Sequence, residues 1–322
     1  MTEWSNLQSG PLLFLESTTM TFIALNHRTI IEISGADVFS FLQGMTTNDV
    51  TKLQDVLNNV GLYSAFLNPQ GKFLNDAFIF RPSMTQTQLN LLWLDVEAQH
   101  AKTLVQKLIL YKLRSNVNLN LRDDISIYAY FGESQAENNT NEANHLSESV
   151  TGSALHYIDD PRSTAMGKRV YSLAPLEFKL AAPCTKDLSA YDAKRIPLLI
   201  PDGARDIPYE RGFIMEYGFD RLNAIDFEKG CYVGQELTAR MYYRKLGKRQ
   251  LVCMECEMDG GPEVGSDVLC DGVCVGTVRS RAGKMVLVHI KTEALETAKH
   301  ETQSDFTEGN FTAEGILMRV KA

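Results

Sequence analysis

The sequence lacks the features by which membrane and secreted proteins are recognised. It contains no run of 18 apolar residues, the minimum that a membrane-spanning helix requires. Residues 1–9 carry no basic cluster ahead of an apolar run, so they do not have the pattern of a secretory signal peptide. From these absences we expect a protein without membrane contact.

Cysteine is scarce, with 6 in 322 residues. So few cysteines in a chain of this length do not form a disulfide framework and suit a reducing compartment, so we expect a cytoplasmic location. Cys253 and Cys256 have CxxC spacing, but on an alternating strand they would point to opposite faces. No histidine pair at metal-binding spacing occurs, so no metal site is predicted.

Motifs for nucleotide and acyl chemistry are also missing. The chain has neither a Walker A segment nor GxGxxG, and it has no GxSxG nucleophile elbow. The sequence leaves open a catalytic triad that is built without such an elbow. The net charge of −8 argues against a protein that coats nucleic acid along its whole surface.

The most distinctive segment of the chain is KGCYVGQE at 229–236, in which glycine, cysteine and polar residues follow one another closely. Its two glycines, four residues apart, indicate sharp turns or close backbone approach. Apolar and basic side chains then recur at helical spacing over 237–245, which predicts a helix that begins near Gly234. The free N–H groups of a helix start, together with Lys229, would favour a thiolate at Cys231. An inert packing cysteine in a turn is the alternative interpretation.

The rest of the chain predicts a mixed α+β protein. Alternating and apolar runs predict strands, and two longer periodic runs predict helices. Before the 229–236 segment, strands are expected at 22–25, 30–33, 63–66, 73–80, 89–94, 125–131 and 168–173, with helices after 37 and over 96–110. After it come only short strands, with Asp271-Gly272 as a hairpin turn, and these predict a small β-barrel.

These segments together resemble the YgfZ/GcvT-like folate-binding proteins. The 229–236 segment matches the family signature KGC[YF]xGQE, which is long and specific. Further similar segments cover nearly the whole chain: FLQGMTTNDV at 41–50, NPQGK at 68–72, YKLRSNV at 111–117, the DPR run at 160–169 and VGTV at 275–278.

The resemblance implies an α+β fold in which three domains form a GcvT-like ring around a central opening. We expect a discontinuous folate-binding domain at 1–116 plus 190–247 and a ferredoxin-like α+β domain at 117–189. A C-terminal β-barrel would occupy 248–322. The stretch 133–153 is polar and rich in Asn, Glu and Ser, so it is predicted to be a mobile insertion.

The resemblance also implies a tetrahydrofolate-type ligand in the central opening, next to Cys231. It links the chain to the maturation or repair of iron–sulfur proteins and to the tRNA modification that depends on them. Iron–sulfur enzymes or assembly proteins would then be partners, together with a tRNA contact. Two alternatives stay open: a tetrahydrofolate-dependent aminomethyltransferase, and an RNA- or protein-docking scaffold in which folate is structural. Whether the chain catalyses a reaction is therefore undecided by its sequence.

The resemblance places candidate folate contacts at specific positions. Tyr191 and Arg28 fall where the bacterial branch carries tryptophan; Tyr191 can stack, and Arg28 could do so only through its guanidinium plane. Asn75-Asp76 takes the place of the transferase's Asp-Asp pair, which leaves Asp76 as the candidate base. The remaining candidate folate contacts are Lys229, Tyr232, Gln235, Glu236 and Arg240.

A basic cluster follows the signature segment in this acidic chain. Five of the ten residues from 240 to 249 are Arg or Lys. One interpretation is an anion site beside Cys231 that takes a polyglutamylated folate tail or an RNA phosphate. The other interpretation is a solvated helix face.

Overall fold

A computed structural model of the chain describes residues 20–54, 59–82, 90–132, 155–173, 184–300 and 307–321. The predicted insertion at 133–153 lies outside the described residues. In chain order, the elements are β1 (Met20–Ala24), β2 (Arg28–Ser34), α1 (Val38–Gln43), β3 (Gly61–Leu67), β4 (Phe73–Phe80), β5 (Leu91–Glu97), α2 (Ala98–Lys112), β6 (Asn118–Arg122), β7 (Ser126–Gly132), β8 (Leu155–Asp159), β9 (Lys168–Ser172), β10 (Cys184–Thr185), α3 (Ser189–Arg195), α4 (Gly203–Asp206), α5 (Gln235–Arg244), β11 (Arg249–Cys256), β12 (Asp267–Cys270), β13 (Val273–Ala282), β14 (Met285–Lys291), α6 (Thr292–His300), β15 (Thr307–Ala313) and β16 (Ile316–Val320). Short 3-10 helices lie at Val50–Leu53, Thr164–Met166 and Ile214–Tyr217.

The first sheet has the strand order β3-β4-β5-β2-β6. Without β3, the order β4-β5-β2-β6 is that of a ferredoxin-like sheet, with α1 and α2 as its helices. Strands β4 and β5 are buried along their whole lengths, which explains their nearly continuous apolar sequence. One face packs against α1 and α2 in a core that includes Leu42, Leu104 and Leu108. The other face turns toward the rest of the protein.

The second sheet has the order β10-β1-β7-β9-β8. Without β1, its strands also follow the ferredoxin-like order. Strand β1 is inserted between β10, to which it is parallel, and β7, to which it is antiparallel. Strands β1 and β6 therefore pair across the predicted domain limits, and the division into domains stays a prediction. The turn at 25–27 joins two sheets and does not close a hairpin.

The C-terminal strands close into a six-stranded barrel in the order β11-β14-β13-β12-β15-β16. Asp271 and Gly272 have φ angles of 49° and 79°, the left-handed pair that a type I′ hairpin turn requires between β12 and β13. Cys256 packs inside the barrel, whereas Cys253 packs into the central core of the protein. The two cysteines therefore face opposite sides of β11, as their spacing predicted.

Candidate functional site

The signature segment is attached to the loop that follows α1. The Lys229 ammonium donates to the Thr46 carbonyl at 2.6 Å and to the Asn48 carbonyl at 2.7 Å. The backbone N–H of Val233 donates to the Gly44 carbonyl at 3.0 Å. Burial lowers the pKa of Lys229 to about 8. The ammonium is thus directed at backbone oxygens and fixes the loop.

Gly234 explains why the signature carries a second glycine. It has a φ of 84° and immediately precedes α5, so the helix begins where the sequence predicted. A Cβ at this position would lie 2.6 Å from the Asn68 carbonyl oxygen and 2.8 Å from Leu67 Cβ. Only glycine fits both the conformation and the space. The Asn-Pro-Gln-Gly turn at 68–71 therefore packs directly on the signature loop.

Cys231 is exposed on this anchored loop. The next residue, Tyr232, is buried, with its ring centroid 5.2 Å from Lys229 Nζ. The Tyr232 backbone N–H donates to Gln235 Oε1 at 3.4 Å. An exposed thiol between anchored neighbours does not fit the interpretation of an inert packing cysteine. Its reactivity stays a prediction.

Glu236 and Arg240 pair with each other on the exposed face of α5. Arg240 Nη2 lies 2.6 Å from Glu236 Oε1, at the i,i+4 spacing that favours such pairs. Both side chains are therefore available at the surface but already neutralise one another. Their contact with folate stays a prediction.

Arg28 and Asp76 lie in a buried network of charged and phenolic side chains. Arg28 donates from Nη1 to Asp76 Oδ1 at 2.7 Å and from Nε to Asp95 Oδ1 at 2.7 Å. Its remaining nitrogen, Nη2, donates to the Asp95 carbonyl oxygen at 2.7 Å. Asp76 Oδ2 accepts from the Tyr63 hydroxyl at 3.0 Å. Both residues that the sequence singled out therefore have all their polar atoms occupied by protein.

Asp95 lies at the centre of this network. Besides Arg28, it accepts from Arg169 at 2.9 Å and from the Tyr171 hydroxyl at 3.1 Å. Burial works against the ionised form of Asp95, but Arg169 and Arg28 outweigh it and hold the pKa of Asp95 below its usual range. The network therefore keeps its charges in a water-poor interior by pairing them.

Tyr191, on α3, lies at the edge of the same buried network. It is 1% exposed, and its hydroxyl accepts from Arg162 Nη2 at 3.0 Å. Arg162 also pairs with Asp160 at 2.7 Å, inside the DPR run. Tyr191 and Arg28 are thus fixed by protein contacts, and the predicted stacking of either side chain on a folate ring stays a prediction.

Glu97 is a residue that the sequence reasoning missed. It is 4% exposed, and its Oε2 atom has no hydrogen-bond partner among the described residues. Burial raises the pKa of Glu97 to about 7. A Cβ on Gly203, whose φ is 46°, would lie 3.3 Å from this oxygen and 2.8 Å from Asp76 Oδ1. The Oε2 atom therefore lies beside the network without a hydrogen-bond partner in the part of the chain that the structure describes.

A signal for Glu97 was present in the sequence. Strand β5 reads LLWLDVE, and two acids at 95 and 97 are unusual in a strand that is otherwise apolar. Asn75 on the neighbouring strand holds the end of β5, because its Oδ1 accepts from the Glu97 backbone N–H at 3.0 Å. Asn75 is consequently a structural residue here.

The other cysteines differ in exposure. Cys253 and Cys256 are buried, and burial raises the pKa of each thiol to about 11. Cys274 is exposed and Cys270 is half-buried, so the four cysteines of the barrel are not equally shielded. The hairpin that carries both lies at the barrel surface. Within the described ranges, no three His, Cys, Asp or Glu side chains are grouped to hold a metal ion.

Comparison with solved structures defines the class of fold. The glycine cleavage system aminomethyltransferase T from Bartonella henselae superposes with a TM-score of 0.71 over 95% of this chain and 86% of that chain. The two sequences are 14% identical, so this likeness shows the fold alone. It confirms the predicted GcvT-like α+β architecture with its C-terminal barrel.

Relatives found by sequence comparison identify the family. The chain is 33% identical over 259 residues to the iron-sulfur cluster assembly factor IBA57 homolog, mitochondrial, of Mycosarcoma maydis, covering 78% of this chain and 60% of that protein. The protein of the same name from Dictyostelium discoideum is 27% identical over 261 residues, covering 74% and 63%. The chain thus spans about 60% of the length of these relatives. No family model matches the chain.

These matches and the fold place the chain in the YgfZ/GcvT-like family, to which it belongs. The names of the relatives also overturn one expectation. They assign those proteins to the mitochondrion, so the cytoplasmic location expected from cysteine usage is wrong on this comparison. A scarcity of cysteine suits any reducing compartment and could not distinguish between them. No described helix is long and apolar enough to cross a membrane.

Proposed function

We propose that this protein is a folate-binding accessory factor in the maturation or repair of iron–sulfur proteins. Its relatives are named as iron–sulfur cluster assembly factors, and its own fold resembles that of an aminomethyltransferase. The clients are then iron–sulfur enzymes or assembly proteins. Their activity in turn supports the tRNA modifications that require such enzymes.

The observation that carries the proposal is the state of Asp76. A transferase would need an acid that is free to exchange a proton with its substrate. Asp76 is fully buried, and each of its carboxylate oxygens is engaged, one by Arg28 and one by Tyr63. Asparagine, which cannot act as a base, occupies the neighbouring position 75. This arrangement supports binding without group transfer over a one-carbon transferase.

The residues beside the network fit a tetrahydrofolate-type ligand. Glu97 Oε2 is a buried acceptor without a partner among the described residues, and such groups call for a donor. A pterin ring carries N–H groups of the kind that a carboxylate accepts. Glu97 would accept a hydrogen bond from such a group. Tyr191 and Arg28 would line one side of the ligand site. The ligand would supply a redox-active or carbon-carrying ring, and the chain would bind and orient it.

Cys231 is the group that the proposal assigns to contact with a client. It is exposed, whereas its loop is fixed by Lys229 and by the close approach at Gly234. A thiol on a rigid loop is presented in one position, which lowers the entropic cost of a specific encounter. The described residues contain no group of three or more His, Cys, Asp or Glu side chains that could hold a metal ion.

Isothermal titration with tetrahydrofolate, paired with a turnover assay, tests the proposal. We expect saturable binding by the wild type, and at least about tenfold weaker binding by Glu97→Gln and by Glu97→Ala. The exposed Glu293→Gln variant, on α6, serves as the matched control. Methylene-tetrahydrofolate with amine or thiol acceptors should show no enzyme-dependent turnover. Absence of binding at millimolar folate would refute the folate assignment, and turnover that needs Asp76 would establish the transferase instead.

A further inference from the structure

We propose that the cleft between α5, the 3-10 helix Ile214–Tyr217 and strand β11 is a docking site for an acidic segment of a partner protein that also carries apolar side chains. The cleft has a volume of about 560 Å³. It lies apart from the buried network, on the far end of the helix that follows Cys231. Nothing in the proposed folate site requires this cleft.

The floor of the cleft is aliphatic. It is formed by Leu199, Met215, Met241 and Leu251. Methionine side chains are flexible and polarisable, and they adapt to varied apolar partners at binding surfaces. Aliphatic side chains on the floor suit leucine- or valine-type side chains of a peptide, whereas nucleic-acid bases bind mainly by stacking on aromatic rings.

The rim of the cleft is cationic. Arg221, Lys245 and Arg249 line it. Two acids, Glu216 and Asp220, also line the cleft, so its cations outnumber its acids by one. Outside the cleft, Arg244 and Lys248 are exposed and form no ion pair with described residues. In a chain of net charge −8, this local excess of positive charge selects an acidic partner.

One rim cation is positioned by the backbone. Gly218 has a φ of 74°, and a Cβ there would lie 2.4 Å from Arg221 Nη2. The guanidinium group therefore lies directly over the Gly218 turn. A glycine at this position lets Arg221 remain at the rim.

Aromatic residues in and next to the cleft also indicate a protein partner. Tyr242 stacks on Phe227 with ring centroids 3.8 Å apart, which holds the ring in place. Tyr243 is 69% exposed and Leu246 is 46% exposed, both high for residues of this type. Tyrosine, methionine and arginine are the residues that protein interfaces favour. The surface therefore combines rigid aromatic anchors, an adaptable floor and a charged rim.

The position of the cleft relates it to the thiol loop. Helix α5 has 10 residues and is therefore about 15 Å long. Cys231 precedes its first turn, and the cleft adjoins its last turn. If Cys231 acts on a client, as the proposed function holds, a segment docked in this cleft would bring that client within reach of the thiol.

Fluorescence anisotropy tests the docking site directly. The probe is a fluorescein-labelled 16-residue peptide of glutamate and leucine at helical spacing, compared with the same peptide carrying lysine for glutamate and with a 16-nucleotide oligouridine. We expect saturable, salt-sensitive binding of the acidic peptide alone. The double variant Arg244→Glu/Lys245→Glu should weaken it at least about tenfold, and Tyr243→Ala by a smaller factor.

The control is Lys102→Glu/Arg114→Glu, which reverses two exposed charges on and just after α2 and should leave binding unchanged. Equal or tighter binding of oligouridine, or peptide binding that survives the Arg244/Lys245 reversal, would overturn the proposal. So would a wild-type dimer in light scattering that Tyr243→Ala converts to a monomer, because the surface would then serve self-association. Tetrahydrofolate binding by the double variant should be unchanged, so loss of folate binding and loss of docking are distinguishable.

Discussion

Gly71 and Gly234 lie back to back, with the Cβ position of Gly234 only 3.1 Å from the Gly71 Cα. Both have left-handed backbone conformations, with φ of 71° and 84°. The two turns are far apart in the sequence but pack with their glycine backbones in direct contact. This contact sets the position of the loop that presents Cys231.

Gly234→Ala should destabilise the protein by about 2 kcal/mol or more. A Cβ is strained in the left-handed region, and here it also meets backbone and side-chain atoms closer than 3 Å. Gly230→Ala is the matched control in the same loop, because a Cβ there meets no atom within 4 Å. Chemical denaturation of the two variants measures the difference. Equal stabilities would show that the loop does not depend on the close glycine contact.

Asp76→Asn should cost about 3–5 kcal/mol of stability, because it removes one charge from a buried pair and leaves Arg28 undercompensated. Asp124→Asn breaks a surface pair with Arg122 and should cost less than about 1 kcal/mol. Urea unfolding of both variants gives the comparison. A small effect at Asp76 would mean that its carboxylate is not held as described and that it is free to act as a base.

Glu97 should make stability depend on pH between about 4.5 and 7. Its pKa is raised to about 7 in the folded protein, so the folded state binds the extra proton and this contribution is lost as pH rises through 7. Glu97→Gln should therefore match the wild type at pH 4.5 and exceed its stability at pH 8 by up to about 3 kcal/mol. Denaturation at both pH values measures the crossover. A constant difference would contradict a buried Glu97 carboxyl group whose pKa is raised.

Thiol labelling should rank the cysteines by exposure. Cys231 and Cys274 are exposed, whereas Cys253 and Cys256 are buried with pKa values raised to about 11. Iodoacetamide treatment of the native protein, followed by peptide mass spectrometry, should modify Cys231 first, with Cys274 as its competitor. Tetrahydrofolate should slow labelling of Cys231 alone. Faster labelling of either buried cysteine would contradict the fold.

Local rules predicted the parts of the protein whose geometry depends on neighbours in sequence. The start of α5 at Gly234 and the Asp271-Gly272 turn both followed from glycine placement. The barrel followed from short strands separated by turn residues. In each case, the controlling residues lie within a few positions of the structure that they set.

Long-range contacts could not be predicted in this way. Arg28 meets Asp76 and Asp95 from 48 and 67 residues away, so its role as an ion-pair centre had no local signal. The same holds for Tyr191, whose hydroxyl is set by Arg162. Strand β1 pairs with β7 although β2 follows it directly in sequence, because sheet pairing follows tertiary packing and not chain order.

Complementation of cells that lack this protein tests the central claim most directly. The activity of a [4Fe–4S] enzyme is measured after expression of the wild type, Cys231→Ser or Cys274→Ser, at matched protein levels. Cys274 is the control because it is the other exposed cysteine in the described residues. The wild type and Cys274→Ser should restore activity, whereas Cys231→Ser should restore none. Full restoration by Cys231→Ser would show that the exposed thiol has no part in iron–sulfur protein maturation.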